Sequence, residues 1–294
     1  MIKPEGTMKQ YLPHICILIA GITWGMIGLF NRYLLAGGFS PASIVLTRNF
    51  GGLLLMTVLF FFMDRSIFRI HPRHIPYFLG TGVVSVVLFT LMYFSCQEQC
   101  SLAVAAILLY TAPAFVMLMS AVLFRETITK KKLLALLIAF AGCTFVSGIL
   151  SGGLTLTTTG LLMGIGSAFF YALYSIFARY ALAHYQPLTV TYYTFLCAGI
   201  ASLFVESPAK VLALLSASPT IPVLALGLVV VSTVLPFVLY TKGLVHVESG
   251  KASILASVEP VAAAVIGVLA FGEPMSMSVV LGLGCVLCSV YILR

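Results

Sequence analysis

The sequence predicts an all-α membrane protein, with ten transmembrane helices arranged as two inverted five-helix repeats. Three observations lead there: a composition that only lipid can solvate, ten apolar runs of spanning length, and a match between the two halves at a constant offset.

Hydrophobic residues make up 61% of the 294 positions and charged residues 8%, where a soluble domain carries roughly 25% charged. Such a chain cannot cover a water-facing surface, so its solvent is the bilayer. The net charge of +8 would raise nucleic acid for a soluble protein. Here the basic residues sit in short loops between apolar runs, the pattern that sets membrane topology, and no nucleic-acid partner is expected. Of the seven cysteines, Cys16, Cys143, Cys197, Cys285 and Cys288 lie in apolar runs as packing residues. Cys285-x-x-Cys288 lacks a second ligand pair, and neither a metal nor another cofactor is expected. Cys96 and Cys100 flank a short loop and are expected on the external side, open to labelling, with a disulfide as one option.

A helical span needs about 20 apolar residues. The runs fall at 11–35, 42–63, 75–95, 102–124 and 132–149, then at 160–182, 188–205, 221–241, 252–271 and 275–293. They must be helices, because in lipid each backbone polar group has to be satisfied within its own segment. Ten spans put both termini on one side. That side holds thirteen Lys and Arg, including Lys130, Lys131 and Lys132, whereas the other holds Arg32 and Lys210. The bias makes the terminal side cytoplasmic and the cytoplasmic membrane the expected location.

The second half repeats the first. At an offset of 147, Gly80, Ser85, Tyr93, Ala105, Pro113, Phe124 and Glu126 meet Gly227, Ser232, Tyr240, Ala252, Pro260, Phe271 and Glu273 without a gap. Apolar composition would match Val and Leu by chance, but not Pro, Glu, Tyr and Gly in register. The same offset carries Arg32-Tyr33 onto Arg179-Tyr180 and Trp24 onto Tyr171. Five spans per repeat is an odd number, so the halves are inverted. The expected organisation is 1–150, an external linker 151–159, and 160–294.

At this point the chain resembles the EamA-type exporters of the drug/metabolite transporter superfamily. Each half has a Pro in its fourth helix and a Glu at that helix's end: Pro113 with Glu126, and Glu259-Pro260 with Glu273. The first helix carries Thr23-Trp24-Gly25 and the second Arg48. The resemblance covers essentially the whole chain. It implies a ten-helix bundle around a central cavity, with the fifth and tenth helices peripheral. It also implies export of amino acids, related metabolites or drugs.

Glu259 is the only carboxylate well inside a span, roughly 10 Å from the cytoplasmic end. Intramembrane charge is costly and faces a cavity or a partner. Its candidate tasks are proton coupling or holding a substrate ammonium; the plain alternative is a buried Glu paired with an internal base or hydroxyl. Arg48 lies roughly 9 Å from the outer end of its span. It either pairs with Glu259, forms the other end of a zwitterion site, or snorkels to the surface.

Pro113 and Pro260 sit mid-span, where proline removes a donor and clashes with the carbonyl four residues back. Broken helices at matching places in two halves point to a transport site, unless they are packing kinks alone. Pro236 adds a third kink, and its repeat partner Phe89 makes the halves unequal. Trp24, Tyr110, Thr111, Tyr171 and Tyr174 either line a cavity and stack on substrate or pack helix on helix. Tyr93 and Tyr240 are expected as interfacial anchors, and Glu126 and Glu273 as dipole complements of the helices that follow them. The pairs Gly21-x-x-x-Gly25 and Gly160-x-x-x-Gly164 permit close helix approach.

These features favour a secondary transporter working by alternating access, with a small-molecule substrate, the lipid bilayer and a coupling proton as its partners. A membrane-embedded enzyme would need clustered Asp, His or Cys; the single Asp is Asp64, the histidines are scattered along the chain, and no enzyme is expected. A channel is the other alternative, which the paired kinks disfavour. No Gly-x-x-x-x-Gly-Lys-Ser/Thr run for nucleotide occurs. Amino acids, other zwitterions, amines or apolar drugs fit one deep Arg better than highly phosphorylated cargo does.

Overall fold

The computed structural model describes residues 5–147, 157–273 and 275–293. Every element among them is helical, as the lipid argument requires. The first half contains α1 (Glu5–Gly25), α2 (Ile27–Ala36), α3 (Pro41–Met63), α4 (Ile75–Leu79), α5 (Phe89–Gln99), α6 (Leu102–Leu109), α7 (Ala112–Phe124) and α8 (Lys130–Val146). The second contains α9 (Thr158–Leu182), α10 (Pro187–Ser202), α11 (Pro208–Leu215), α12 (Thr220–Val229), α13 (Leu235–Leu244), α14 (Ser249–Ala256), α15 (Glu259–Phe271) and α16 (Met277–Ile292).

Joined across their breaks, these elements form seven stretches long and apolar enough to cross a membrane among the described residues. They are Tyr11–Ala36, Pro41–Met63, Pro72–Gln99, Leu102–Phe124, Thr158–Leu182, Thr220–Leu244 and Ser249–Phe271. α8, α10 and α16, at 17, 16 and 16 residues, stop short of the roughly 20 that a full crossing needs. The helix α11, between the seventh and eighth expected spans, has no counterpart in the sequence reading. Most of the expected linker, 151–156, lies outside the described residues, as do the chain's extreme ends; Thr157 caps α9 by accepting from the Gly160 amide at 3.0 Å.

Pro113 and Pro260 each stand just after a break in their helix. α6 gives way to α7 at Tyr110–Thr111, and α14 to α15 at Ser257–Val258, so Pro113 and Pro260 each sit in the first turn of a new helix. The third kink has a different origin from the one expected. Val230–Val234 is a π-helical turn just before Pro236, and the first half has one too, over Gly80–Leu88, although Phe89 stands where the second half has proline. A widened turn leaves carbonyls to be satisfied. In each half a hydroxyl reaches back five residues, Ser85 to the Gly80 carbonyl at 2.9 Å and Thr233 to Leu228 at 2.9 Å. Proline is therefore not required for the distortion, which both halves contain.

Glycines seat the helices. A methyl group on Gly21 would stand 2.9 Å from the Ala256 carbonyl, and one on Gly25 2.6 Å from that of Glu259. α1 is thus pressed onto the break between α14 and α15. Gly160 and Gly164 bring α9 onto Cys100, Cys96 and Leu108 in the same manner. α8 packs on α16, where Gly142 and Gly282 face each other's backbones. Glu126, which follows α7, meets the start of α14; the two matched broken helices therefore run antiparallel.

Candidate functional site

Three cavities lie in sequence along the bundle interior. The first, about 50 Å³, is lined by Trp24, Arg48, Asn49, Tyr171, Tyr174 and Tyr240, with Ser85, Thr90 and Phe237 among its other walls. The second, about 20 Å³, sits between the two helix breaks and is lined by Tyr110, Pro113, Tyr171, Ser257 and Glu259. The third, about 260 Å³, opens between α6, α8, α15 and the start of α16, with Tyr110, Pro260 and Glu273 among its lining. Tyr171 borders the first two and Tyr110 the last two. The two tyrosines are the partitions of this series.

Arg48 is held from within: its Nε donates to Thr233 Oγ1 at 3.3 Å, on the π-helical turn. The guanidinium faces the first cavity instead of reaching for the surface. Glu259 opens α15, with its carboxylate at a helix N-terminus, where the dipole favours an anion. No protein donor hydrogen-bonds to it among the described residues, and Arg48 and Glu259 make no ion pair at 4.0 Å or less. The direct pair that their depths allowed is not formed, and neither is the pairing of Glu259 with an internal hydroxyl.

Around them the aromatic residues meet in a cluster. Trp24 contacts Phe237 edge-on at 5.3 Å and Tyr240 at 5.3 Å; Tyr174 meets Phe237 at 5.0 Å. The Tyr174 and Thr241 hydroxyls are 2.8 Å apart, and those of Ser175 and Tyr240 2.9 Å. Buried phenols need such partners. Of the expected site residues, Trp24, Arg48, Tyr171 and Tyr174 share the first cavity, and Tyr110 and Glu259 the second. Thr111 lines none of the three; its hydroxyl donates to the Leu108 carbonyl at 2.6 Å and so serves the helix break. Pro236 stands beside the first cavity through its neighbour Phe237.

Several residues were placed differently by the sequence. Tyr240 is 4% exposed and lines the first cavity, so it is not an interfacial anchor. Its match to Tyr93 was the signal, but a position near a span end masked it. Asn49, beside Arg48, bonds through Nδ2 to Ser202 Oγ at 2.9 Å and had no sequence signal. Glu126 and Glu273 make their direct contacts away from the helices that follow them: Glu126 binds the start of α14, and Glu273 pairs with Arg32 at 2.9 Å. Cys96 and Cys100 are free thiols with sulfurs 3.7 Å apart and both are buried, so rapid labelling is no longer expected. Three of the scattered histidines converge: His74 stacks on His184 at 4.3 Å and lies 5.9 Å from His71, with its Nδ1 2.8 Å from the Tyr185 hydroxyl. Among the described residues, no group of three His, Cys, Asp or Glu side chains suits a metal ion.

Known proteins resemble this chain in sequence and fold. The chain matches the EamA-like transporter family twice, over residues 12–148 and 158–294. It is 30% identical over 276 residues to an "Uncharacterized transporter" of Archaeoglobus fulgidus, covering 94% of each chain. It is 28% identical to the "Uncharacterized inner membrane transporter YicL" of Salmonella typhimurium, over 94% of this chain and 93% of that one. A solved structure titled "Crystal structure of protein" superposes with a TM-score of 0.79 over 95% of both chains at 17% identity, which speaks to the fold alone. Two matched, repeated helical halves with apolar spans are those of a multi-pass membrane transporter, and the chain belongs to the EamA-like transporter family.

Proposed function

We propose that the protein is a secondary transporter that exports small metabolites across the cytoplasmic membrane by alternating access. Amino acids, related zwitterions and amines are its leading substrate class, with drugs of similar size behind them. In this reading 1–150 and 160–294 are the inverted halves, 151–159 is the external linker, and ten helices cross or nearly cross. The thirteen-to-two distribution of Lys and Arg supports cytoplasmic termini. It puts Glu126 and Arg179 at the cytoplasmic end and Arg32 and Glu273 at the external end.

The observation that carries the proposal is a pair of opposite interior charges held apart. Arg48 and Glu259 face adjoining cavities on either side of Tyr171 and do not touch. Leaving both charges without each other is costly inside a membrane. A zwitterion relieves that cost: its carboxylate matches the Arg48 guanidinium and its ammonium matches Glu259, with Trp24 and Tyr174 as stacking walls. A proton on Glu259 relieves it in the substrate's absence, which ties transport to the proton gradient. The first cavity, about 50 Å³, has room for no more than a few waters, since one needs roughly 10–15 Å³. Seating a metabolite therefore requires the Tyr171 partition to move.

The test is flux through purified protein in proteoliposomes, with a panel of amino acids, amines and neutral drugs. Saturable flux driven by a pH gradient is expected, and Glu259→Gln inserts and folds normally but loses at least about tenfold of it. Wild-type flux from a well-expressed Glu259→Gln across the pH range removes the charge from the mechanism. Flux that never saturates indicates a channel.

A further inference from the structure

Glu126 and Glu273 occupy the same place in the repeat but do different things. The Glu126 carboxylate accepts from the amides of Ser249 at 2.8 Å and Gly250 at 3.2 Å, capping α14 of the opposite half. At the same end, Arg179 Nη1 donates to the carbonyls of Leu244 at 2.6 Å and Val247 at 3.1 Å, closing α9 onto the turn before α14. α7 and α14 are packed together there. At the other end the matching contacts are absent among the described residues. Glu273 pairs with the half-exposed Arg32, whose guanidinium also lies 4.0 Å above the Phe271 ring. α6 and α15, the counterparts of α14 and α7, stand apart around the cavity of about 260 Å³.

Every missing partner is present in the sequence. Subtracting the offset of 147 from Ser249 and Gly250 gives Leu102 and Ala103, the first residues of α6, whose amides have no acceptor in a helix's first turn. Subtracting it from Leu244 and Val247 gives Gln97 and Cys100, and adding it to Arg32 gives Arg179. We infer that Arg32, Glu126, Arg179 and Glu273 are positioning residues of the transport cycle, in which each glutamate alternates between capping the opposite half's broken helix and pairing with the arginine of its own end. The structure holds one state, with the cap made by Glu126. In the other, Glu273 caps α6 through Leu102 and Ala103, and Arg32 binds the carbonyls of Gln97 and Cys100. α6 then closes on α15 while α7 parts from α14, and Glu126 pairs with Arg179. A carboxylate on two amides is charge-assisted and aligned with the helix dipole, whereas an exposed ion pair contributes little. The cap is therefore the contact that selects the state.

This inference rests on alternating access, and the experiment separates the two. Ala264 lines the open cavity, and its repeat partner Met117 is 5% exposed, against Gly250. In full-length protein in proteoliposomes, labelling of Ala264→Cys and Met117→Cys by a maleimide is measured above the parent's own. With no further change, Ala264→Cys is expected to react and Met117→Cys to be protected. Adding Glu126→Gln should raise labelling at 117 and lower it at 264 by about tenfold, and Glu126→Asp should shift both by less. Adding Glu273→Gln should keep 264 reactive and 117 protected. If the two sites exchange reactivity with substrate or pH but neither glutamate variant biases them, or both bias them in one direction, the latch is wrong and alternating access stands. If both sites react together under all conditions, alternating access itself fails, and the latch with it.

Discussion

Replacing Gly25 by alanine tests how α1 is held at the site. Gly25 is the last residue of α1, and by helix propensity alone the change should help, because Ala is favoured over Gly by roughly 0.5–1 kcal/mol. The surroundings decide otherwise. The new methyl carbon would stand 2.6 Å from the Glu259 carbonyl oxygen, 2.7 Å from Ala262 Cβ and 2.9 Å from the Ala263 amide, where ordinary contact begins at 3.4 Å. Two of the three are backbone atoms of α15's first turns and cannot rotate away. α1 must retreat by 3.4 − 2.6, about 0.8 Å, and such overpacking costs typically 1–3 kcal/mol. Net destabilisation of about 1–2 kcal/mol is expected. Trp24, the preceding residue, moves with α1, so flux should fall as well. Gly28, three residues on, meets nothing within 4 Å, and Gly28→Ala should be neutral or stabilising by up to about 1 kcal/mol. Thermal unfolding in detergent, with flux in proteoliposomes, reads both variants. If Gly25→Ala is as stable and as active as Gly28→Ala, α1 is not seated on the helix break as described.

Two further outcomes are expected. Arg125 ends α7 in the left-handed region at φ 56, where its repeat partner is Gly272 at φ 66; Arg125→Gly should stabilise and Gly272→Ala destabilise, each by about 1 kcal/mol, and melting curves with the opposite signs would refute this. Glu206, beyond the end of α10, accepts from Lys210 at 2.7 Å and the Ser207 amide at 3.0 Å, with Ser43 and Ser40 adding hydroxyl donors. These donors, Lys210 first, hold it from the usual 4.5 down to about 2. Because the folded value is the lower one, the stability it contributes is present above about pH 4.5 and is lost as pH falls toward 2. Melting temperature should decline across that window, and less steeply in Glu206→Gln; equal slopes would mean the contacts do not form.

The class of protein was legible because bilayer solvation acts on composition alone. A chain with 8% charged residues has one solvent available, and lipid admits only helices or closed barrels. The repeat was legible because Pro, Glu and Gly in register survive where apolar residues are interchangeable. Pro113 and Pro260 could be read as breaks from proline chemistry, and Gly21 and Gly25 as contact points from the missing side chain, each a local property. The π-turn in the first half was not legible, because Gly80–Leu88 holds no proline; the hydroxyl that stabilises it is one of many serines.

What the tertiary structure alone decided is which side chains meet. That Arg48 and Glu259 stand apart with Tyr171 between them depends on the rotation of α3 and α15 about their axes, which hydropathy leaves nearly free when a helix is apolar all round. Tyr240 joined the site and Thr111 left it for the same reason. The two faces of such a helix look alike in sequence, and only packing against its neighbours distinguishes the one that lines a cavity. Glu126 and Glu273 carry this furthest. Their sequence places are equivalent by the repeat, yet one caps a helix and the other pairs with an arginine, because α7 packs against α14 at the Glu126 end while α6 and α15 stand apart around a cavity at the Glu273 end.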